Sequence, residues 1–250
     1  MSGHSRWSQI KRKKGKADVE RGKLFSKILR EITVAARHGG GDPKVNMRLK
    51  SAVEAAKEAN MPQDNVKRAI QKGTGELPGE SYEEIVYEGY GPGGVAVMVH
   101  VLTDNRNRTV PEVRRAFEKH GGNLGGAGTV AWMFERKGVI QVDAAKIGED
   151  DLLTVALDAG AADVKQVEKA FEVTTSPGEM DVVRGALETK GVPVLRAEVL
   201  FVPQSTVRVE GKEAPAVLRL IEALEELDDV QNVYSNFDIP DEIIEAMSAA

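Results

Sequence analysis

Cysteine is absent from the 250 residues, which excludes a disulfide framework, a thiolate metal site and a cysteine nucleophile. Histidine is scarce, limited to His4, His38, His100 and His120. No two of these stand four apart, and no carboxylate motif accompanies them, so a helical zinc site is excluded. The longest uncharged stretch, Gly89 to Thr103, is too short to span a bilayer and carries several glycines and a proline. No apolar segment follows the N-terminus, which argues against a secretory signal. There is no nucleophile–base pair and no two-carboxylate site. These absences lead to the expectation of a soluble, cytoplasmic non-enzyme without cofactor, metal or membrane partner.

Charge is present in quantity and is divided by position. The first thirty residues hold ten Lys or Arg against Asp18 and Glu20, a net +8. Residues 1–73 hold eighteen basic and seven acidic side chains (+11), and the remainder holds sixteen and thirty-two (−16). An overall charge of −5 therefore conceals a strongly positive head. Before Leu24 it has little apolar surface to bury, so residues 1–20 read as a mobile arm that orders on a polyanion. Arg6, Lys11, Arg12, Lys13, Lys14, Lys16, Arg21, Lys23, Lys27 and Arg30 are the candidate phosphate contacts. His4 and Trp7 are available to stack on an exposed base. A solvated terminus is the plainer account of the same run.

From Leu24 the period is helical. Leu24, Ile28, Leu29, Ile32, Ala35 and Ala36 recur at three- and four-residue spacing until the glycines at 39–41. Asn46 caps a second helix with Leu49, Ala52, Val53, Ala56 and Ala59 on one stripe, closed at Asn60. Pro62 opens a third with Val66, Ala69 and Ile70 inward and Gly73 just past its end. Such short helices could form a DNA-reading helix-turn-helix or a plain helical corner, and no helix rich in Asn, Gln and Arg favours the former.

After a linker at 73–79 the period changes. Strands are expected at 85–87 and 95–102, divided by a glycine-rich turn. A helix capped by Thr109 and Glu112 follows, stopped at Gly121-Gly122, and then a strand at 129–134. Residues 139–201 alternate as βαββαβ, with a helix around 150–159 and another capped by Ser176 and Glu179, the order of a ferredoxin-like unit. The βαβ segments on either side, over 95–134 and with strands at 206–209 and 230–237 after the insert, suggest a second ferredoxin-like unit that hosts the first. The expected class is α+β and multidomain: an arm (1–20), a three-helix domain (21–78), a host domain (79–135 and 202–250) and an insert (136–201).

In the acidic half the candidate contact loop is Asp104, Asn105, Arg106, Asn107, Arg108 and Thr109. Its arginines could clamp phosphate and its asparagines read base edges. Alternatively Asp and Asn bond their own backbone, with Arg108 paired to a carboxylate. The glycine-rich turn at 89–94 lacks the ending of a phosphate loop and reads as a hairpin, and 121–126 reads as a mobile connection. His120 is placed where a cation would favour a helix C-terminus. Glu222, Glu225, Glu226, Asp228 and Asp229 read as a solvated helix face.

The segments GHSRW, KRKKGKADVERGKLFSKILREI, GGGDP, NMRLKSAVEAAKEANMPQDNVKRAIQKGTGE, YEGYGPGGVAV, TDNRNRT and HGGNLG resemble the YebC family nearly end to end. The resemblance implies a helical N-terminal domain followed by two α+β domains. It places the family's basic N-terminal motif on His4, Arg6, Trp7, Lys11, Lys13 and Lys14, and its second motif on Asp104–Thr109. It implies no catalytic residues. Bacterial members are described as cytoplasmic DNA-binding transcriptional regulators. Others are described as translation factors acting on ribosomes stalled at proline-rich stretches. The expected partner is therefore DNA or ribosomal RNA, with the ribosome as the alternative assembly, and the chain itself a monomer or weak oligomer.

Overall fold

The computed structural model describes residues 19–167, 169–240 and 243. The arm residues expected to contact nucleic acid, His4, Arg6, Trp7, Lys11, Arg12, Lys13, Lys14 and Lys16, lie outside the described residues. The described elements are α+β, with helices first and sheets after. They fall into two units: Phe134–Gln204, and the segments before and after it. The helical region and the host sheet, expected as separate domains, group together in the second unit.

Helix α1 (Val19–Gly39) buries Ile28, Ile32, Ala35 and Ala36 against α2 (Met47–Glu58) and α3 (Gln63–Thr74). It starts at Val19, five residues before Leu24, where the expected apolar period begins. A helix nucleated by packing propagates cheaply through residues of good propensity. Asn46 is the cap expected, its side-chain oxygen accepting from Leu49 N at 3.1 Å. It also does more, donating its amide to Ala35 O and Gly40 O, both at 2.8 Å. The buried Asn46 therefore ties α1 to the start of α2. The expected stop at Gly73 is displaced. Gly75 takes the left-handed cap at φ +86°, and Gly73 lies inside α3, where a Cβ would sit 2.4 Å from Thr33 O. It is a close-approach glycine, not a terminator.

In the same unit, β1 (Glu83–Tyr90) and β2 (Ala96–Thr103) form a hairpin paired from Glu83–Thr103 to Tyr90–Ala96. The four-stranded sheet runs β3 (Asn123–Leu124), β1, β2, β9 (Val230–Ser235). Helices α4 (Arg106–Lys119) and α7 (Glu213–Glu225) cover one face through Val113, Phe117, Val217, Leu220, Ile221 and Leu224. Apolar side chains of this size contribute roughly 1.5–3 kcal/mol each on burial.

Three expectations change here. The host is not ferredoxin-like: its hairpin strand β1 takes the place beside β2 that such a plan gives to residues 206–209. Those form β8 (Val207–Arg208), which pairs in parallel with β10 (Phe237–Asp238) in a sheet of its own. The strand expected at 129–134 is a single helical turn, Ala131–Met133. The connection expected to be mobile is fixed, because β3 pairs with Gly89 and Tyr90. The buried Glu88 carboxylate also accepts from the backbone N–H of Gly128, Val130 and Ala131 at 2.7–2.8 Å. Burial alone would raise its pKa, but these three donors hold it below the ordinary value.

The other unit has β4 (Phe134–Asp143), α5 (Glu149–Asp158), β5 (Asp163–Val167), β6 (Ala170–Thr175), α6 (Met180–Thr189) and β7 (Val194–Pro203). Its sheet order β5-β6-β4-β7, antiparallel throughout, is the ferredoxin-like order. The expected Ser176–Glu179 cap is instead a turn before the helix, with Ser176 Oγ donating to Glu179 Oε2 at 2.8 Å.

Candidate nucleic-acid interface

The candidate loop of the acidic half is organised around a carboxylate that the sequence reading had placed in solvent. Asp229 follows α7 and is 2% exposed. It accepts from Thr103 Oγ1 at 3.0 Å, Thr109 Oγ1 at 2.6 Å and Arg108 Nη2 at 2.7 Å. Burial would raise its pKa; the hydrogen bonds from Thr109, Arg108 and Thr103, with the charge of Arg30, hold it lowered. The loop is not a loop for most of its length. Asn105 is the N-cap of α4, accepting from Arg108 N at 3.2 Å, so the helix starts three residues before the Thr109 expected to cap it. Thr109 is buried and Arg108 also reaches Asp104 at 2.8 Å. Arg106 and Asn107 are exposed. Burial raises the Tyr87 pKa, and the charge of Arg106 nearby offsets part of that rise.

The basic residues of α1 divide between two surroundings. Arg21 is exposed. Lys23 Nζ donates to Glu226 O at 3.3 Å and Lys27 Nζ to Glu225 O at 2.6 Å. Arg30 Nη1 donates to Asp228 O and pairs with Asp229 Oδ1 at 3.0 Å. Three side chains expected as phosphate contacts therefore meet the C-terminal end of α7 in this structure. Such an end carries unsatisfied carbonyls and partial negative charge, which makes it chemically similar to a phosphate. A second bridge lies nearby. Arg48 pairs with Glu31 at 2.6 Å and with Glu84 at 2.9 Å, and Glu84 meets His100 Nε2 at 2.7 Å. The hydrogen bond from His100, joined by those from Arg48 and opposed by burial, lowers the Glu84 pKa to about 2.

On the outward faces of the helical region, Lys57 on α2 and Lys67, Arg68 and Lys72 on α3 are exposed, alongside Glu58 and Asp64. His120 is the C-cap of α4, but its surroundings work against the cationic role expected there. Partial burial and the charges of Lys119 and Arg219 lower its pKa and favour the neutral ring. Among the described residues no group of three or more His, Asp or Glu is placed to hold a metal, and no helix is long and apolar enough to cross a membrane.

The burial of Asp229 and the second role of Asn46 are what sequence reasoning missed. Asp229 had one usable signal, an acid between the last apolar position of a helix, Leu227, and the first of a strand, Val230. Asn46 carries no sequence signal for its second role, because the carbonyls that it meets belong to another helix.

Comparison with known proteins covers almost the whole chain. Residues 5–76 match the family described as TACO1/YebC protein N-terminal domain, and residues 82–237 match TACO1/YebC second and third domain. A "Probable transcriptional regulatory protein" of Pelotomaculum thermopropionicum is 59% identical over 96% of this chain and 100% of its own length. One of the same name from Syntrophus aciditrophicus is 59% identical over 100% of both. The crystal structure of a conserved hypothetical protein from Aquifex aeolicus superposes with a TM-score of 0.83 at 54% identity, covering 91% of this chain and 94% of that one. With both family regions matched and relatives this similar over their full lengths, the chain belongs to the TACO1/YebC family.

Proposed function

We propose that the protein is a non-enzymatic, cytoplasmic regulator of gene expression that binds DNA as a transcriptional regulator. The observation that carries this reading is the charge layout: a net +11 over residues 1–73 in a chain of net −5. The names of the relatives, probable transcriptional regulatory proteins, support it. The proposed contacts begin with His4, Arg6, Trp7, Lys11, Arg12, Lys13, Lys14, Lys16 and Arg21. They continue over the exposed Lys57, Lys67, Arg68 and Lys72. Phosphate contacts of this kind position a protein on nucleic acid without reading sequence. In the second motif, Asp104, Asn105, Arg108 and Thr109 hold the start of α4, which leaves the exposed Arg106 and Asn107 as its proposed contacts.

The test is crosslinking in growing cells, with sequencing of the nucleic acid covalently held. The expected result is enrichment at promoters that disappears when residues 2–16 are deleted. Reads concentrated in ribosomal RNA, with promoters at background, would overturn the transcriptional reading in favour of a ribosomal one.

A further inference from the structure

We propose that the contact between α1 and the end of α7 is a reversible latch. In it, the carbonyls of Glu225, Glu226 and Asp228 and the carboxylate of Asp229 occupy positions on Lys23, Lys27 and Arg30 that phosphates take when nucleic acid binds. This inference rests on the nucleic-acid reading above and adds a conformational step to it.

The geometry has two properties that a latch needs. First, the donors lie on one face of α1, at spacings of four and three residues, and their acceptors are grouped within residues 225–229 at and just past the end of α7. Lysine and arginine bond carbonyl, carboxylate and phosphate oxygens through the same N–H groups. A polyanion supplies such oxygens with full charge, so it competes for these donors.

Second, opening leaves few charges stranded. Breaking a buried ion pair is costly because the abandoned partner stays buried and uncompensated. Asp229 avoids this, since Arg108, Thr103 and Thr109, all from the host, remain bonded to it when Arg30 leaves. The neighbouring bridge follows the same rule. When Arg48 and Glu84 separate, Arg48 keeps Glu31 from its own helical region and Glu84 keeps His100 from its own sheet. The helical region also has its own buried cluster, from Ile28 to Ala69, distinct from that of the host. It can therefore shift without exposing a shared core.

The absence of cysteine permits a direct test on the full chain. Glu58→Cys and Glu112→Cys, both at exposed positions on α2 and α4, carry a donor–acceptor dye pair. Two probes are added separately: a single-stranded RNA and a duplex DNA, each of about 20 nucleotides per strand. Anisotropy of the labelled oligonucleotide measures binding, and energy transfer measures separation. The expected result is a fall in transfer on binding, and a similar fall without oligonucleotide at about 1 M NaCl. Asp229→Asn should then tighten oligonucleotide binding by roughly two- to fivefold, because Arg30 loses its carboxylate partner in the closed form. If Asp229→Asn fails to fold, Glu84→Gln loosens the second bridge and should shift transfer in the same direction. Binding with unchanged transfer, in low and high salt alike, would overturn the latch and leave the nucleic-acid reading standing. Failure of both probes to bind at any salt would overturn that reading and the latch with it.

Discussion

Asn46 shows how much can rest on one side chain. Its oxygen caps α2 and its amide satisfies two carbonyls at the end of α1. Asn46→Ala removes the cap and leaves buried acceptors unpaired, so it should destabilise by about 2 kcal/mol. Denaturant unfolding measures this, and a loss under about 0.5 kcal/mol would show that water replaces the amide. Glu84 gives the residue scale its pH dependence. Its folded-state pKa lies at about 2, below the ordinary 4.5. A carboxylate shifted down contributes stability that is complete above the ordinary value and is lost as pH falls towards about 2. Glu84→Gln should therefore flatten the stability profile between pH 4.5 and 2 and leave its shape above pH 5 unchanged. Equilibrium unfolding across that range tests it.

At the scale of the element, the start of α4 separates two arginines that the sequence presents alike. Arg108 closes the Asp104–Asp229 pair and Arg106 is exposed. Arg108 reaches both carboxylates through Nη2, and lysine keeps the charge but ends in a compact, strongly hydrated ammonium on a different stem. Arg108→Lys should lower the melting temperature by several degrees, and Arg106→Lys should leave it within about one degree. Equal shifts in thermal unfolding would show that the Asp229 network does not depend on the guanidinium of Arg108. The same element shows what the sequence made legible. The apolar period located α4 and its core residues Val113 and Phe117, because burial imposes a helical repeat on the chain itself. Its start was misplaced because Asn105 and Thr109 are both competent caps, and the choice between them lies in Asp229, far away in sequence. The insert was legible in full order because each of its strands pairs within the segment. The host was not. Whether β1 or residues 206–209 flank β2 depends on pairing across the insert, and no local pattern encodes that.

For the whole molecule, the decisive property is a separation of charge that the fold both displays and partly neutralises. The first 73 residues carry the positive excess, and the structure turns three of their cations towards the end of α7. Lys11, Arg12, Lys13 and Lys14 precede the described residues, so their role must be read in solution through salt. Each phosphate neutralised releases condensed counterions, and the slope of log affinity against log salt counts the contacts. Replacing all four with Gln should reduce the slope by about three to four units on duplex DNA if each makes one contact. Trp7→Ala belongs to a different mechanism. Stacking on an unpaired base is independent of counterions, so its removal should cost about 1–3 kcal/mol on single strands, little on duplex, and leave both slopes unchanged. Titrations of the two variants at four or more salt concentrations, on both oligonucleotides, separate the contributions. An unchanged slope in the four-residue variant would remove the arm from the interface and transfer the binding to the exposed lysines of α2 and α3. A duplex loss as large as the single-strand loss for Trp7→Ala would make that residue a packing contact.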